Sequence, residues 1–208
     1  MTFTGLTDDL SRLPGTAFGL TAPADLRAVA ARLVSDLGGV PEWVAEGDRP
    51  LYHAALAHGA NHLVTLVNEA ADLLRAAGVR APDTVLRPLL HAALDNALRL
   101  GDAALTGPVS RGDAGTVARH LERMEVAEPA SVPAYLALAR RTADRAVAAG
   151  RLGAHDAELL LDVLAAAGAR RTSTVRGASP GTVRQPRGEP RMTRRNDGHE
   201  GVPERVPA

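Results

Sequence analysis

The chain contains no cysteine and no lysine. Without Cys there is no disulfide and no thiolate metal site. Without Lys there is no Schiff-base chemistry and no lysine general acid. All 24 basic residues are Arg. Aromatic residues make up only 2% of the chain, so its core has to be built from Leu, Val and Ala, a composition that favours close-packed helices. No run approaches the roughly 18 to 20 consecutive apolar residues of a membrane helix. The N-terminus has neither the basic patch nor the apolar run of a signal peptide. These absences predict a soluble cytoplasmic protein. Also missing are a G-x-G-x-x-G turn after a strand, a G-x-S-x-G elbow and a Walker sequence.

The 208 residues suffice for one domain, or one domain and a fragment. Net charge is zero but unevenly spread. Residues 1–168 carry 15 Arg against 20 Asp and Glu, a balance of −5, and residues 169–208 carry 9 Arg against 4 acids, a balance of +5. An acidic body argues against nucleic acid as a partner. The basic tail lacks the aromatics that stack on bases.

Three segments follow from the pattern. Residues 1–46 read as strand, helix and strand, about the length of one βαβ unit. The strand is Ala17–Thr21, bounded by Pro14-Gly15 and Pro23. The helix runs from Ala24 to Leu37, with Leu26, Val29, Leu33 and Leu37 at helical spacing and Gly38-Gly39 as its stop. The second strand is Glu42–Ala45. One such unit cannot bury both faces of a parallel sheet, so the segment is expected to be the remnant of a larger sheet or to dock on something else.

Residues 47–168 read as an all-helical domain. Asp48 and Pro50 open a long helix over Leu51–Ala77, which Gly78 ends. A second spans Asp83–Leu100, with a kink expected at Pro88. Further helices are expected over Asp113–Ala127, Ser131–Ala149 and Ala154–Ala167, and the short loops between them imply a compact antiparallel bundle. Residues 169–208, rich in Arg, Pro and Gly and poor in large apolar side chains, are expected to be disordered.

Candidate functional residues lie in three places. The long helix carries His53, His58, Asn61 and His62. His58 and His62, one turn apart, are placed to share a metal, but no carboxylate completes an H-E-x-x-H motif, and no metal site is expected. His53 and Asn61 are instead substrate-site candidates, since an amide both donates and accepts. The loop from Ala104 to Asp113 is dense in turn formers and opens a helix, so Thr106 and Arg111 suit an anion. Asp113 is both a site candidate and a good N-cap. The tripeptide Arg111-Gly112-Asp113 beside a cap is not taken as an adhesion motif. Finally, Asp95-Asn96 are adjacent and cannot both face one core, which leaves Asn96 as a cleft candidate.

These residues carry a resemblance. Leu51-Tyr52-His53-Ala54-Ala55 with Asn61, Leu94-Asp95-Asn96, Ala104-Leu105-Thr106-Gly107-Pro108, Arg111-Gly112-Asp113 and Thr116-Val117 with His120-Leu121 resemble the "Rossmann-like and domain-of-unknown-function 2520" (DUF2520) proteins, over about residues 1–165. That family is similar in layout to ketopantoate reductase, pyrroline-5-carboxylate reductase and deazaflavin-dependent NADP oxidoreductases. The resemblance implies a mainly α fold: a helical bundle of the 6-phosphogluconate dehydrogenase C-terminal type, preceded by a truncated Rossmann remnant. It implies a homodimer, a small-molecule substrate and NADP or NAD as cofactor, with no cofactor-binding residue in this chain. The expected function is the substrate-binding and dimerisation part of an NAD(P)-dependent oxidoreductase lacking its dinucleotide-binding half. The alternative is a non-catalytic helical dimerisation or small-ligand-binding module. Ketopantoate reductases place a Lys four residues before an Asn of the long helix; four before Asn61 stands Ala57.

Overall fold

The structure, a computed structural model, describes the backbone of residues 5–177 and the side chains of residues 5–173. The chain begins with a single 3-10 turn, Thr7–Arg12, and then enters strand β1, Ala17–Leu20. Helix α1, Arg27–Asp36, leads back to strand β2, Val40–Trp43. The strands pair in parallel, Ala17 opposite Val40 through Leu20 opposite Trp43. The expected strand–helix–strand unit is therefore present, with β2 starting two residues earlier than its sequence pattern suggested. The reason is the tight helix stop: the amides of Gly38 and Gly39 bond the carbonyls of Ser35 and Val34 at 2.9 and 3.0 Å. The turn delivers the chain straight into the sheet, and Pro41 is accepted because β2 has only one pairing partner among the described residues.

The long helix is present but not uniform. Helix α2, Arg49–Leu56, passes through one π-helical turn, Ala57–Asn61, into helix α3, His62–Ala76. Helix α4 spans Pro82–Leu100 as one element, continuing through Pro88. Two short 3-10 turns, Gly101–Ala104 and Val109–Arg111, occupy the expected loop. Helix α5, Ala114–Ala127, helix α6, Val132–Ala148, and helix α7, Ala154–Gly177, complete the described chain.

The core is smaller than a five-helix bundle. It is formed by α5, α6 and α7: Val117, Leu121, Val132, Leu160 and Leu164 are its largest fully buried side chains. Helices α2 to α4 are not enclosed by it. Every residue from His91 to Leu100 is exposed, and Leu98 and Leu51 stand 79% and 71% open. The expectation of one compact antiparallel bundle is thus corrected. The apolar positions of α3 and α4 follow helical spacing, and Leu73 packs against the α5–α7 core and Leu86 is buried, but much of the stripe stays exposed because α5–α7 already close a core among themselves.

Helix α7 also corrects the expected helix end at Ala167. The apolar pattern stops there, yet the helix continues to Gly177. Polar contacts replace apolar ones: Arg171 reaches Glu125 on α5 at 2.8 Å, and the Thr172 hydroxyl donates to the Gly168 carbonyl at 3.1 Å. Of residues 169–208, expected to be disordered, residues 169–177 are helical instead, and residues 178–208 lie outside the described residues. Among the described residues, no helix is long and apolar enough to cross a membrane.

Candidate functional site

The carboxyl ends of β1 and β2 open into a cavity of about 770 Å³. Its floor is Gly19 and Leu20 from β1, with Thr21 just past β1 and Val44 just past β2, and its roof is Arg49, Tyr52 and His53 from α2. Local chemistry sets this arrangement. The Thr21 hydroxyl donates to the Val44 carbonyl at 2.8 Å and ties the strand ends together. The Tyr52 ring lies so close to Gly19 that a Cβ there would come within 2.7 Å of it, so glycine at this position is what lets α2 settle over the sheet. Arg49 pairs with Glu46 at 3.2 Å at the open mouth. A second cavity of about 610 Å³ lies beside it, with Arg27 stacked 4.3 Å over the Trp43 ring. Two guanidinium groups, Arg49 paired with Glu46 and Arg27 stacked on Trp43, therefore flank the strand ends, and the Glu46 carboxylate lines both cavities. Trp43 packs under Arg27 and Tyr52 against Gly19.

Of the residues singled out from sequence, His53 lines this cavity. Asn96 and Thr106 come together elsewhere, in a groove of about 490 Å³ between α4 and the loop that follows it. That groove also holds Arg145, whose guanidinium grips Asp102 at 2.7 Å. Asp95, the neighbour of Asn96, turns to Arg99 at 3.4 Å, so the adjacent pair does divide between two directions. Asn61 sits exposed in the π-helical turn and Arg111 exposed in the second 3-10 turn; neither lines a described cavity.

Asp113 is the N-cap of α5, its carboxylate accepting from the Thr116 amide at 2.9 Å. That amide bond, the Thr116 side chain and the nearby Arg119 and Arg111 hold its pKa below the usual carboxylate value. The capping bond occupies amides that an anion would otherwise use. His58 and His62 face one another across the π-helical turn with their Nδ1 atoms 3.0 Å apart, one donating to the other. Among the described residues, no group of three or more metal-ligating side chains assembles.

Sequence reasoning missed Thr21, Glu46 and Arg49. The available signal was positional: residues just past the ends of parallel strands form the ligand-binding edge of an α/β unit.

A parallel strand–helix–strand unit, open at its strand ends and continuing through one long helix into a helical domain, defines the protein as a mainly helical α/β-linked type. The family described as "Domain of unknown function (DUF2520)" matches residues 16–142, and the chain belongs to that family. The match starts just before β1 and ends within α6, leaving out α7, which supplies the buried Leu160 and Leu164. No curated protein and no solved structure matches the chain.

Proposed function

We propose that this chain provides the substrate-binding and dimerisation part of an NAD(P)-dependent oxidoreductase, with a bundle of the 6-phosphogluconate dehydrogenase C-terminal type beside a Rossmann remnant. One observation carries the reading: a cavity at the carboxyl ends of two parallel strands, roofed by Arg49 and His53 of the helix that leads into the helical domain. Open α/β sheets take ligands at this edge. Arg49, exchanging its Glu46 partner for the ligand, offers a planar fork for a carboxylate, and the His53 ring can donate or accept a hydrogen bond beside it. The substrate suited to this pair is a small oxo or hydroxy acid.

The described residues do not suit the dinucleotide's pyrophosphate. The β1–α1 turn is Thr21-Ala22-Pro23-Ala24-Asp25, with Pro23 and an acidic residue where glycines and free amides would be needed. No step is therefore assigned to a nicotinamide here. This same observation favours the second reading, a ligand-binding module without its own redox chemistry.

The test uses the purified chain. Pyruvate titrated against it by amide NMR is expected to shift Gly19–Thr21 and Val44, and Arg49→Ala is expected to weaken binding about tenfold, the loss of one charge-assisted pair. NADPH is expected not to bind at micromolar concentration. An unperturbed strand edge would sink the substrate-site reading; micromolar NADPH binding would sink the division into halves.

The dimer rests on α3 and α4, whose Leu63, Val64, Leu66, Leu89, Leu94 and Leu98 are exposed along two adjoining helices. Single exposed leucines are ordinary, but this number on two adjoining helices, with Leu94 and Leu98 one turn apart on α4, supports an interaction surface. We assign it to a second copy. The ion pairs Asp72–Arg75 and Asp95–Arg99 on these helices are each neutral in sum, which lowers the like-charge repulsion between two copies.

A further inference from the structure

A second, separate cleft of about 400 Å³ lies between α3, α5 and α6, walled by the Thr106–Val109 loop. Its volume falls at the small end of the range for small-molecule sites, about 300 to 1000 Å³. The walls are mainly apolar, with Leu66 and Leu73 from α3, Met124 from α5 and Leu138 from α6. Polar side chains interrupt them: the hydroxyls of Thr106, Ser131 and Thr142, and three groups that can bind more strongly, His120, Tyr135 and Glu69. His120 and Tyr135 are joined, Nδ1 to the phenol oxygen, at 3.0 Å with their rings edge to face. The phenol is neutral, the more so for its burial, and where His120 carries its proton on Nδ1 and donates it to the phenol oxygen, the Tyr135 O–H is left for a ligand. With Nδ1 engaged, Nε2 of His120 is the nitrogen left for a ligand. Glu69 on α3 is half-buried in the same wall, has no ion-pair partner among the described residues, and no Arg lines the cleft.

An apolar slot with one half-buried, unpaired carboxylate and no cation is complementary to a cation carried on an apolar body. We propose that this cleft is a binding site for a small primary amine with an apolar body, its ammonium held by Glu69 together with the His120–Tyr135 pair. The site is built from the helical domain alone and does not depend on the oxidoreductase reading or on the strand-edge cavity.

The test compares 2-phenylethylamine with 2-phenylethanol and phenylacetate, titrated against the full chain by amide NMR. The amine is expected to bind about tenfold more tightly than the alcohol, with shifts at Ala70, Leu73 and Leu138, and phenylacetate more weakly still. Glu69→Gln is expected to abolish the amine's advantage while leaving the alcohol unchanged, and Tyr135→Phe to weaken both amine and alcohol. Circular dichroism checks that each variant is folded. His53→Ala is expected to leave amine binding intact; if it removes binding, the probe occupies the strand-edge cavity and the proposal falls. Equal or tighter binding of phenylacetate overturns it as well. So does amine binding that appears only in a variant unable to self-associate, which would make the cleft part of a subunit contact.

Discussion

At the scale of single residues, Gly112 is the most constrained position of the loop that links α4 to α5. Its φ of +70° lies in the left-handed region, and a Cβ there would come within 2.6 Å of Asp156 Cβ and 2.9 Å of Leu152 Cδ1. Gly112→Ala is expected to cost about 2 to 4 kcal/mol, combining left-handed strain with overpacking. Urea denaturation measures this; a loss below about 1 kcal/mol would mean that α7 gives way freely. Its neighbour Asp113 governs pH behaviour. Because the capping bond lowers its folded pKa, the cap's contribution is fully present above the unfolded value, about 4, and is lost as pH falls through the folded value. Melting curves from pH 7 down to pH 3 should therefore fall less steeply for Asp113→Asn, which still caps but does not titrate. Identical slopes in both proteins would place acid sensitivity elsewhere.

At the scale of elements, the last turns of α7 raise the question of what holds a helix past the end of its apolar stripe. Arg171 and Glu125 tie α7 to α5 at 2.8 Å, and both side chains are about two-thirds covered. That geometry exceeds a freely exposed pair but not a buried one. A double-mutant cycle with Arg171→Ala and Glu125→Ala is expected to show a coupling of about 0.5 to 1 kcal/mol that shrinks in high salt. A coupling indistinguishable from zero would leave helix propensity alone to carry α7 beyond Ala167. The π-helical turn between α2 and α3 is the other irregular element. It shifts the register of the long helix where His58, Gly59 and Asn61 sit, and such turns often mark functional positions.

For the whole molecule, the contrast between a closed core in α5–α7 and the open faces of α3 and α4 governs behaviour in solution. If a second copy covers α3 and α4, melting temperature rises with protein concentration by mass action. Leu94, at 51% exposure, sits on α4 without burial in the chain's own core. Leu94→Arg is expected to leave the folded α5–α7 core intact while shifting light scattering from dimer to monomer and removing the concentration dependence of melting. A wild-type chain that is monomeric at micromolar concentration would refute the assignment.

The helical periods of Leu, Val and Ala, the Gly38-Gly39 stop and the Asp113 cap were readable from sequence, because each is a local device whose partners lie within a few residues. So was family membership, through the Thr106–Pro108 and Arg111–Asp113 motifs. Which apolar stripe faces inward was not readable. A leucine at helical spacing on α4 looks the same as one on α6, and only the packing of α5, α6 and α7 leaves the first exposed and buries the second. The site divided for the same reason. His53, Asn96 and Thr106 were chosen by residue type, while the strand ends, the roof of α2 and the meeting of His120 with Tyr135 fifteen residues away arise only when separate elements are brought together. Side-chain chemistry is written along the chain, but a cavity is a property of surfaces distant in sequence, and tertiary packing alone decides which of them meet.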